Sequence, residues 1–308
     1  MGPVMEILKT ISPIFVIIAF GYFLKNRKLL SDGFISEANR FVYLFPLPFL
    51  IFTGIVRADA RGIGWLSVLS ITLPTLAVIG IALVAAAVGG YRTAKLGSFV
   101  QSTFHGNVTY VGLAVIFYLL GEKGLERGSL LVGILILFNN ALAVLILSLA
   151  SGKHRSLLRT AISIITTPVI IATFAGMVLV LFQVRIPSVL MKSIGIVANI
   201  ALPMALIIIG GSISLSTLTK TLRPAIIAAL LKVIVLPGLA VLLCHALSID
   251  FRAALPAIIL LATPTAITTY IMARELGGDT LIASGTITLT TLVSPVTYLL
   301  WIWMLETF

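Results

Sequence analysis

QSTFHGNVTYVG, residues 101–112, places His, Gly and Asn in succession at the centre of Leu96–Leu120, an otherwise apolar segment long enough to cross a bilayer. A second apolar segment, Ala253–Leu276, is interrupted by Pro264 among threonines. Unwound backbone at membrane depth is tolerated only where protein or a water-filled cavity surrounds it, because lipid cannot satisfy the freed N–H and C=O groups. Interrupted helices at corresponding places in two halves of a chain indicate a transporter's substrate site.

The composition is that of a membrane protein. Of the 308 residues, 59% are hydrophobic and 10% are charged, far from the values of soluble domains. Despite the net charge of +11, we expect no nucleic-acid partner. The basic residues fall between apolar segments, as in loops that lie at an anionic membrane surface and contact lipid. One cysteine and three histidines exclude a disulfide framework or a Cys-rich metal site, and we expect no cofactor.

The apolar segments predict an all-α membrane protein with about ten spans, since a spanning helix needs ~20 mostly apolar residues. The segments are Met5–Leu24, Glu37–Val56, Gly64–Gly90, Leu96–Leu120, Ser129–Ala150, Ala161–Phe182, Ile194–Leu215, Pro224–Leu247, Ala253–Leu276 and Leu281–Met304. The sequence GEKGLERG at Gly121–Gly128 is predicted to be a loop. With the N-terminus outside, inside loops hold twelve basic residues and outside loops eight, which favours both termini outside an inner (plasma) membrane.

The chain also repeats itself. LPFLIFTG at Leu47–Gly54 is echoed by LPMALIIIG at Leu202–Gly210, LPTLAV at Leu73–Val78 by LPGLAV at Leu236–Val241, and the break at Gly106 by that at Pro264. The offsets of 155, 163 and 158 residues suggest one duplication. Residues 1–150 and 161–308 then form two five-span repeats inserted in opposite directions, joined by a short cytoplasmic linker at 151–160.

Five segments in succession resemble the auxin efflux carrier family, which contains the plant PIN auxin carriers and bacterial permeases for malate, malonate and related acids. They are NRFVYLFPLPFLIF at Asn39–Phe52, STFHGNVTYVGLA at Ser102–Ala114, TPVIIATFAGMVL at Thr167–Leu179, LKVIVLP at Leu231–Pro237 and ATPTAITTYIMARELGGD at Ala262–Asp279.

The resemblance implies ten helices of which the fourth and ninth are broken and cross each other. It also implies a mobile bundle from spans three to five and eight to ten, and a scaffold from spans one, two, six and seven that pairs into a homodimer. Substrate would bind beside the crossing, with alternating access by an elevator-like movement of the bundle. One departure is that plant members carry proline in the first break, where this chain has His105-Gly106-Asn107.

The two breaks supply the predicted substrate-binding residues. The resemblance places an asparagine at the first break to contact substrate, and Asn107 suits an anion because a neutral amide donates hydrogen bonds; it could instead cap the second half-helix. At the second break the half-helix after Pro264 presents unpaired amides to an anion, whereas the alternative is a proline kink repaired by threonine hydroxyls. The predicted set is His105, Gly106, Asn107, Thr263, Pro264, Thr265 and Thr268.

Lys232 and His105 are the ionisable candidates for coupling. A lysine at the centre of a membrane helix costs about 2.5–3.5 kcal/mol on insertion scales, so we expect Lys232 to support the crossing through its carbonyls or to take part in proton coupling, with snorkelling as the alternative. His105 titrates near neutral pH when unperturbed, and it is either a coupling group or a hydrogen-bonding group of the break.

The sequence therefore predicts a secondary transporter, for efflux or exchange, of a small organic anion such as a mono- or dicarboxylate or an indole-type acid. It carries no HExxH, GxSxG or paired intramembrane carboxylates, so we expect no enzyme activity. The alternatives are a channel-like or sensor protein on the same fold and, further away, an intramembrane enzyme.

Overall fold

The computed structural model describes residues 3–58, 64–151, 162, 165–184 and 186–307. Residues 152–160 of the predicted linker lie outside this part of the chain. The described residues form helices α1 Pro3–Asn26, α2 Asp32–Leu44, α3 Pro46–Arg57, α4 Trp65–Val88, α5 Thr93–Phe104, α6 Leu113–Ser151, α7 Pro168–Leu181, α8 Ser188–Ala198, α9 Ala201–Gly211, α10 Leu215–Lys220, α11 Leu222–Leu230, α12 Leu236–Ala246, α13 Phe251–Leu261, α14 Ile267–Leu276 and α15 Thr280–Thr307. Single π-helical turns, Val108–Gly112 and Leu231–Val235, precede α6 and α12.

Local sequence explains several helix ends. Ser31 caps α2 by accepting from the amide of Phe34 at 3.0 Å, and Asp279 caps α15 by accepting from the amides of Leu281 and Ile282. Gly277 ends α14 with φ +80°, a conformation that suits glycine. The predicted span Glu37–Val56 is two helices rather than one, because α3 begins at Pro46, which has no N–H to continue the ladder of α2.

The prediction of a loop at Gly121–Gly128 is wrong, because the chain reverses at Gly121 alone and is helical on both sides. Gly121 has φ +67° and ψ −160°, which no helix contains. A side-chain carbon on Gly128 would lie 3.5 Å from Leu113, although a straight helix would separate these residues by about 22 Å. Helix α6 is therefore a hairpin of two helices that turns within one glycine.

The described helices have the length and apolar surface of a multi-pass membrane protein. In this part of the chain, seven helical stretches are long and apolar enough to cross a membrane, four of them made of consecutive elements such as α2 with α3 at Asp32–Arg57, and Pro168–Leu181 and Phe251–Leu261 are shorter apolar helices. Large apolar side chains are exposed along α4, namely those of Leu73, Leu76, Leu83, Val84 and Val88. Water would make such a surface unfavourable, whereas lipid accommodates it.

The contacts divide the chain into two compact units. Unit one comprises Met1–Gly64, Thr109–Ile136 and Ile165–Ile213, as far as these residues are described. Within it, α1 lies directly against α9, where side-chain carbons on Gly21 and Gly210 would overlap the opposite backbone. Glycine is thus what lets these two helices approach so closely.

Unit two comprises Trp65–Val108, Leu137–Ile164 and Ser214–Phe308, again as far as described. Here α5 packs against the last part of α6, since a carbon on Gly97 would lie 3.1 Å from Leu147 and 3.2 Å from Ala150. The amide of Asp279 donates to the carbonyl of Ala94 at 3.2 Å, which ties the end of α14 to the start of α5. Both interrupted segments lie in this unit up to Val108.

Candidate functional site

The first interruption separates α5 from the π-helical turn at Val108. Helix α5 ends at Phe104, and the amide of His105 makes the last bond of its ladder to the carbonyl of Gln101 at 3.0 Å. His105 then leaves the helical region with ψ 86°. Residues 105–107 are extended and buried, with exposed fractions of 5% for His105 and 6% for Asn107. The chain is therefore unwound where the sequence has its polar centre.

The second interruption separates α13 from α14. Helix α13 ends at Leu261, Ala262 still bonds to Ile258, and α14 begins at Ile267. Pro264 lies in the middle of the gap and offers no amide to either helix. Thr263 and Thr265 beside it are buried. This break falls where the proline and its threonine neighbours predict it.

The two interruptions bond to each other through their backbones. Gly106 and Thr265 form an isolated antiparallel bridge. The amide of Asn107 donates to the carbonyl of Pro264 at 2.8 Å, and the amide of Ala266 donates to the carbonyl of His105 at 2.9 Å. Each break thus supplies one donor and one acceptor that the other needs. This reciprocal pairing is how unwound chain remains satisfied at membrane depth.

Threonine hydroxyls satisfy more of the freed backbone. Thr265 donates from Oγ1 to the carbonyl of Ser102 at 2.9 Å, and its amide donates to Oγ1 of Thr290 at 3.0 Å. Thr263 donates from Oγ1 to the carbonyl of Leu260 at 2.7 Å. These bonds join the end of α5, the second break and α15. The repair of freed carbonyls by threonine, considered from sequence for a simple kink, here also connects separate helices.

Gly106 is the point of closest approach. A side-chain carbon on Gly106 would overlap Oγ1 of Thr263 and would lie 3.1 Å from Nζ and 3.2 Å from Cε of Lys232. Lys232 is fully buried, and its ammonium donates to the carbonyl of Leu261 at 2.6 Å. The structure therefore brings the predicted lysine to both breaks, although it lies in a different span.

His105 lies between α5 and α14. Its Nδ1 is 3.4 Å from Nε2 of Gln101, and its Nε2 is 3.4 Å from Oγ1 of Thr268. The Thr268 side chain is exposed at the start of α14, whereas the other threonines of the break are buried. Among the described residues, Thr268 contacts the first break through the imidazole of His105, at the outer edge of the predicted set.

Two half-helices begin beside the bridge. Helix α14 starts at Ile267 and the helical chain after the first break starts at Val108. The first turn of a helix carries unpaired amides and a partial positive charge, so these two starts favour a carboxylate. Asn107 immediately precedes one of them. Chemically, the arrangement can hold an anion with backbone amides and neutral side chains.

Sequence reasoning missed several buried polar groups around the breaks. They include Ser102 and Thr290, which bond to Thr265, and Gln101, which has a buried oxygen that accepts no hydrogen bond from the described residues. Thr286 and Thr290 are four residues apart on one face of α15, and this spacing was a usable signal. Gln101 has no comparable signal beyond its place in the polar stretch.

Comparison with known proteins gives the family. The profile of the family described as "Membrane transport protein" matches residues 6–158 and 151–302. An uncharacterized transporter of Methanocaldococcus jannaschii is 23% identical over 305 residues, covering 95% of this chain and 96% of that protein. An uncharacterized transporter of Methanothermobacter thermautotrophicus is 23% identical over 297 residues, with the same coverage of both chains.

These matches confirm the resemblance to the auxin efflux carriers and the expectation of a transporter rather than an enzyme. With its spanning helices, the protein is a multi-pass membrane transporter. The chain belongs to the membrane transport protein family, of the auxin efflux carrier type.

Proposed function

We propose that this protein is a secondary transporter, for efflux or exchange, of a small organic anion such as a mono- or dicarboxylate or an indole-type acid. Substrate binds beside the two breaks, at the starts of α14 and of the helical chain from Val108. Asn107, His105 and Thr268 are the side chains proposed to contact it directly. Gly106, Thr263, Pro264 and Thr265 form the backbone that presents these groups.

The observation that carries this proposal is the reciprocal bonding between the breaks at Gly106 and Thr265. It holds the starts of two half-helices next to each other without a charged side chain from either break. Anions bind well at helix starts, and a neutral amide such as that of Asn107 adds a donor without adding charge. Unwound polar main chain is unfavourable at membrane depth. A role in substrate binding would explain why this protein keeps two such breaks.

The proposed mechanism is alternating access, in which spans three to five and eight to ten move against a scaffold of spans one, two, six and seven that forms a homodimer. The division of contacts supports this partition for most of the chain. Residues 109–136, which belong to spans four and five, instead group with unit one. The chain would have to adjust near Val108 and Ile136 as the bundle moves.

Two inverted repeats of five spans remain part of the proposal. The two family matches, at residues 6–158 and 151–302, support a duplication with a junction near the predicted linker. The structure supports a count of ten spans. The first broken helix consists of α5 and the chain from Val108 to the turn at Gly121, the second arm of the hairpin is the next crossing, and α13 with α14 is the second broken helix.

Transport by purified protein in liposomes tests the function. Labelled malonate, malate and indole-3-acetate are the probes, and Asn107→Ala is expected to reduce uptake at least tenfold while the protein stays folded. Asn199→Ala is the matched control, because Asn199 is an exposed asparagine at the end of α8, and it should transport like the wild type. Full activity of Asn107→Ala would remove the site assignment.

Kinetics separate a carrier from a channel on the same fold. A carrier saturates with substrate, and unlabelled substrate inside the liposome accelerates entry of label through exchange. Uptake that rises linearly with concentration and shows no acceleration would favour the channel. If none of the three acids is transported, the organic-anion assignment is wrong.

A further inference from the structure

Lys232 is placed by a local irregularity of its helix. It lies within the π-helical turn Leu231–Val235, where one extra residue per turn changes the direction in which side chains point. The carbonyl of Val233 in this turn accepts from the indole N–H of Trp301 at 2.8 Å. The turn is thus stabilised from α15, and the fully buried lysine chain reaches the breaks rather than the membrane surface.

Two half-helices end where the ammonium lies. Helix α13 ends at Leu261, whose carbonyl accepts from Nζ at 2.6 Å. Helix α5 ends at Phe104, two residues before Gly106, and a carbon on Gly106 would be 3.1 Å from Nζ. Each helix end carries a partial charge of about −0.5, so two ends together present about one negative charge. One ammonium is the matching positive charge.

In transporters with broken helices, the carbonyls at half-helix ends coordinate coupling cations, while half-helix starts face anionic substrates. In this protein the lysine lies at the C-terminal ends of the half-helices before the breaks. The half-helices after the breaks start at α14 and at Val108. Among the described residues, Lys232 forms no ion pair with a carboxylate; the ion pair that is present joins Lys25 to Asp32. Backbone carbonyl, rather than carboxylate, is what receives this ammonium.

We infer that Lys232 is the resident cation of the breaks, which takes the place of a bound metal ion by neutralising the ends of α5 and α13. It is a positioning residue that holds the two half-helices together and does not contact substrate. The inference rests on the proposed function only for its consequence for transport, namely that transport needs no alkali cation. The structural part of the inference concerns the folded protein and is tested without any substrate.

Chemical rescue tests it directly. Lys232→Ala removes the ammonium and leaves a space beside the carbonyl of Leu261 that ethylammonium fits. The melting temperature of the detergent-solubilised variant is expected to fall below that of the wild type. Roughly 50–200 mM ethylammonium chloride is expected to raise it again by several degrees, because a ligand that binds the folded state stabilises it. Tetramethylammonium chloride at equal ionic strength, which has no N–H donor, is expected to give no rise. Equal effects of the two salts would overturn the inference.

Lys232→Met keeps the test open should the alanine variant not fold. It preserves the volume without the charge, and we expect a lower melting temperature than for the wild type. Lys220→Met, at an exposed lysine of the same unit, is the matched control and should melt like the wild type. A Lys232→Met variant as stable as the control would overturn the inference.

Transport gives a separate readout. Where the wild type carries an acid, its rate is expected to be the same in sodium, potassium and choline media, and Lys232→Met is expected to lose at least tenfold. A requirement of the wild type for sodium would overturn the inference and leave the proposed function intact. Absence of transport by the wild type would remove the proposed function, while the melting experiments would still decide the role of Lys232.

Discussion

Gly106 owes its identity to space rather than to backbone conformation. Its φ is not in the left-handed region, unlike Gly90, Gly121 and Gly277, yet a side-chain carbon there would overlap Oγ1 of Thr263. That hydroxyl is held by its bond to Leu260 and cannot easily move aside. The bridge to Thr265 therefore depends on the absence of a side chain.

Gly106→Ala is expected to destabilise the protein by about 1–3 kcal/mol, the usual effect of adding a carbon to a filled site. Gly80→Ala is the matched control, because a carbon on Gly80 meets no atom within 4 Å and alanine is the better helix former. The measurement is the melting temperature of each purified variant. A Gly106→Ala protein that melts no lower than Gly80→Ala would show that the breaks tolerate separation.

The residues of the first break were predictable from sequence, and their bonding partners were not. His105-Gly106-Asn107 stands out because polar residues are unfavourable at the centre of an apolar segment. Lys232 reaches the carbonyl of Leu261, 29 residues further on, because it lies in a π-helical turn, and no sequence pattern predicted that turn. Whether these side chains contact substrate stays a prediction.

At the scale of elements, the hairpin of α6 depends on the conformation of one residue. Gly121 has φ +67° and ψ −160°, a region that only glycine populates readily, and nothing lies within 4 Å of where a side chain would start. A substitution here therefore strains the backbone without causing a clash. The sequence GEKGLERG was predicted to be a loop, but Gly124 and Gly128 instead allow close packing of the two arms.

Gly121→Ala is expected to cost about 1–3 kcal/mol through this strain alone. Gly64→Ala serves as the control, since Gly64 also has open space around it and its φ is not positive. Thermal unfolding followed by size-exclusion chromatography of the solubilised protein measures the difference. Identical unfolding curves for the two variants would mean that the hairpin can turn by another route.

At the scale of the whole molecule, the proposed orientation follows from the distribution of lysine and arginine. The excess of basic residues in alternate loops predicts both termini outside. The proposed five-span repeats would be opposite in direction in either orientation, since each has an odd number of spans. The orientation determines which end of α5 and α14 meets the cytoplasm.

Single cysteines test that orientation. In a Cys244→Ala background, which removes the chain's one cysteine, we expect a membrane-impermeant maleimide to label Glu122→Cys and Ser248→Cys in intact cells. Lys28→Cys and Lys220→Cys should be labelled only after the membrane is opened. All four positions are exposed in the structure, so accessibility to the reagent reports the side of the membrane. The reverse pattern would invert the topology, and labelling of all four would contradict a sealed membrane arrangement.

The sequence by itself determined that this is a helical membrane protein of the auxin efflux carrier type with two interrupted spans. It did so because apolar length, a polar centre and a proline act locally, on the segment that contains them. Only the tertiary structure decided that Thr265 bonds to Ser102, 163 residues away, and that Lys232 lies at the ends of α5 and α13. A hydrogen bond needs its two atoms within about 3 Å, and which distant atoms come that close depends on how helices pack rather than on either segment alone.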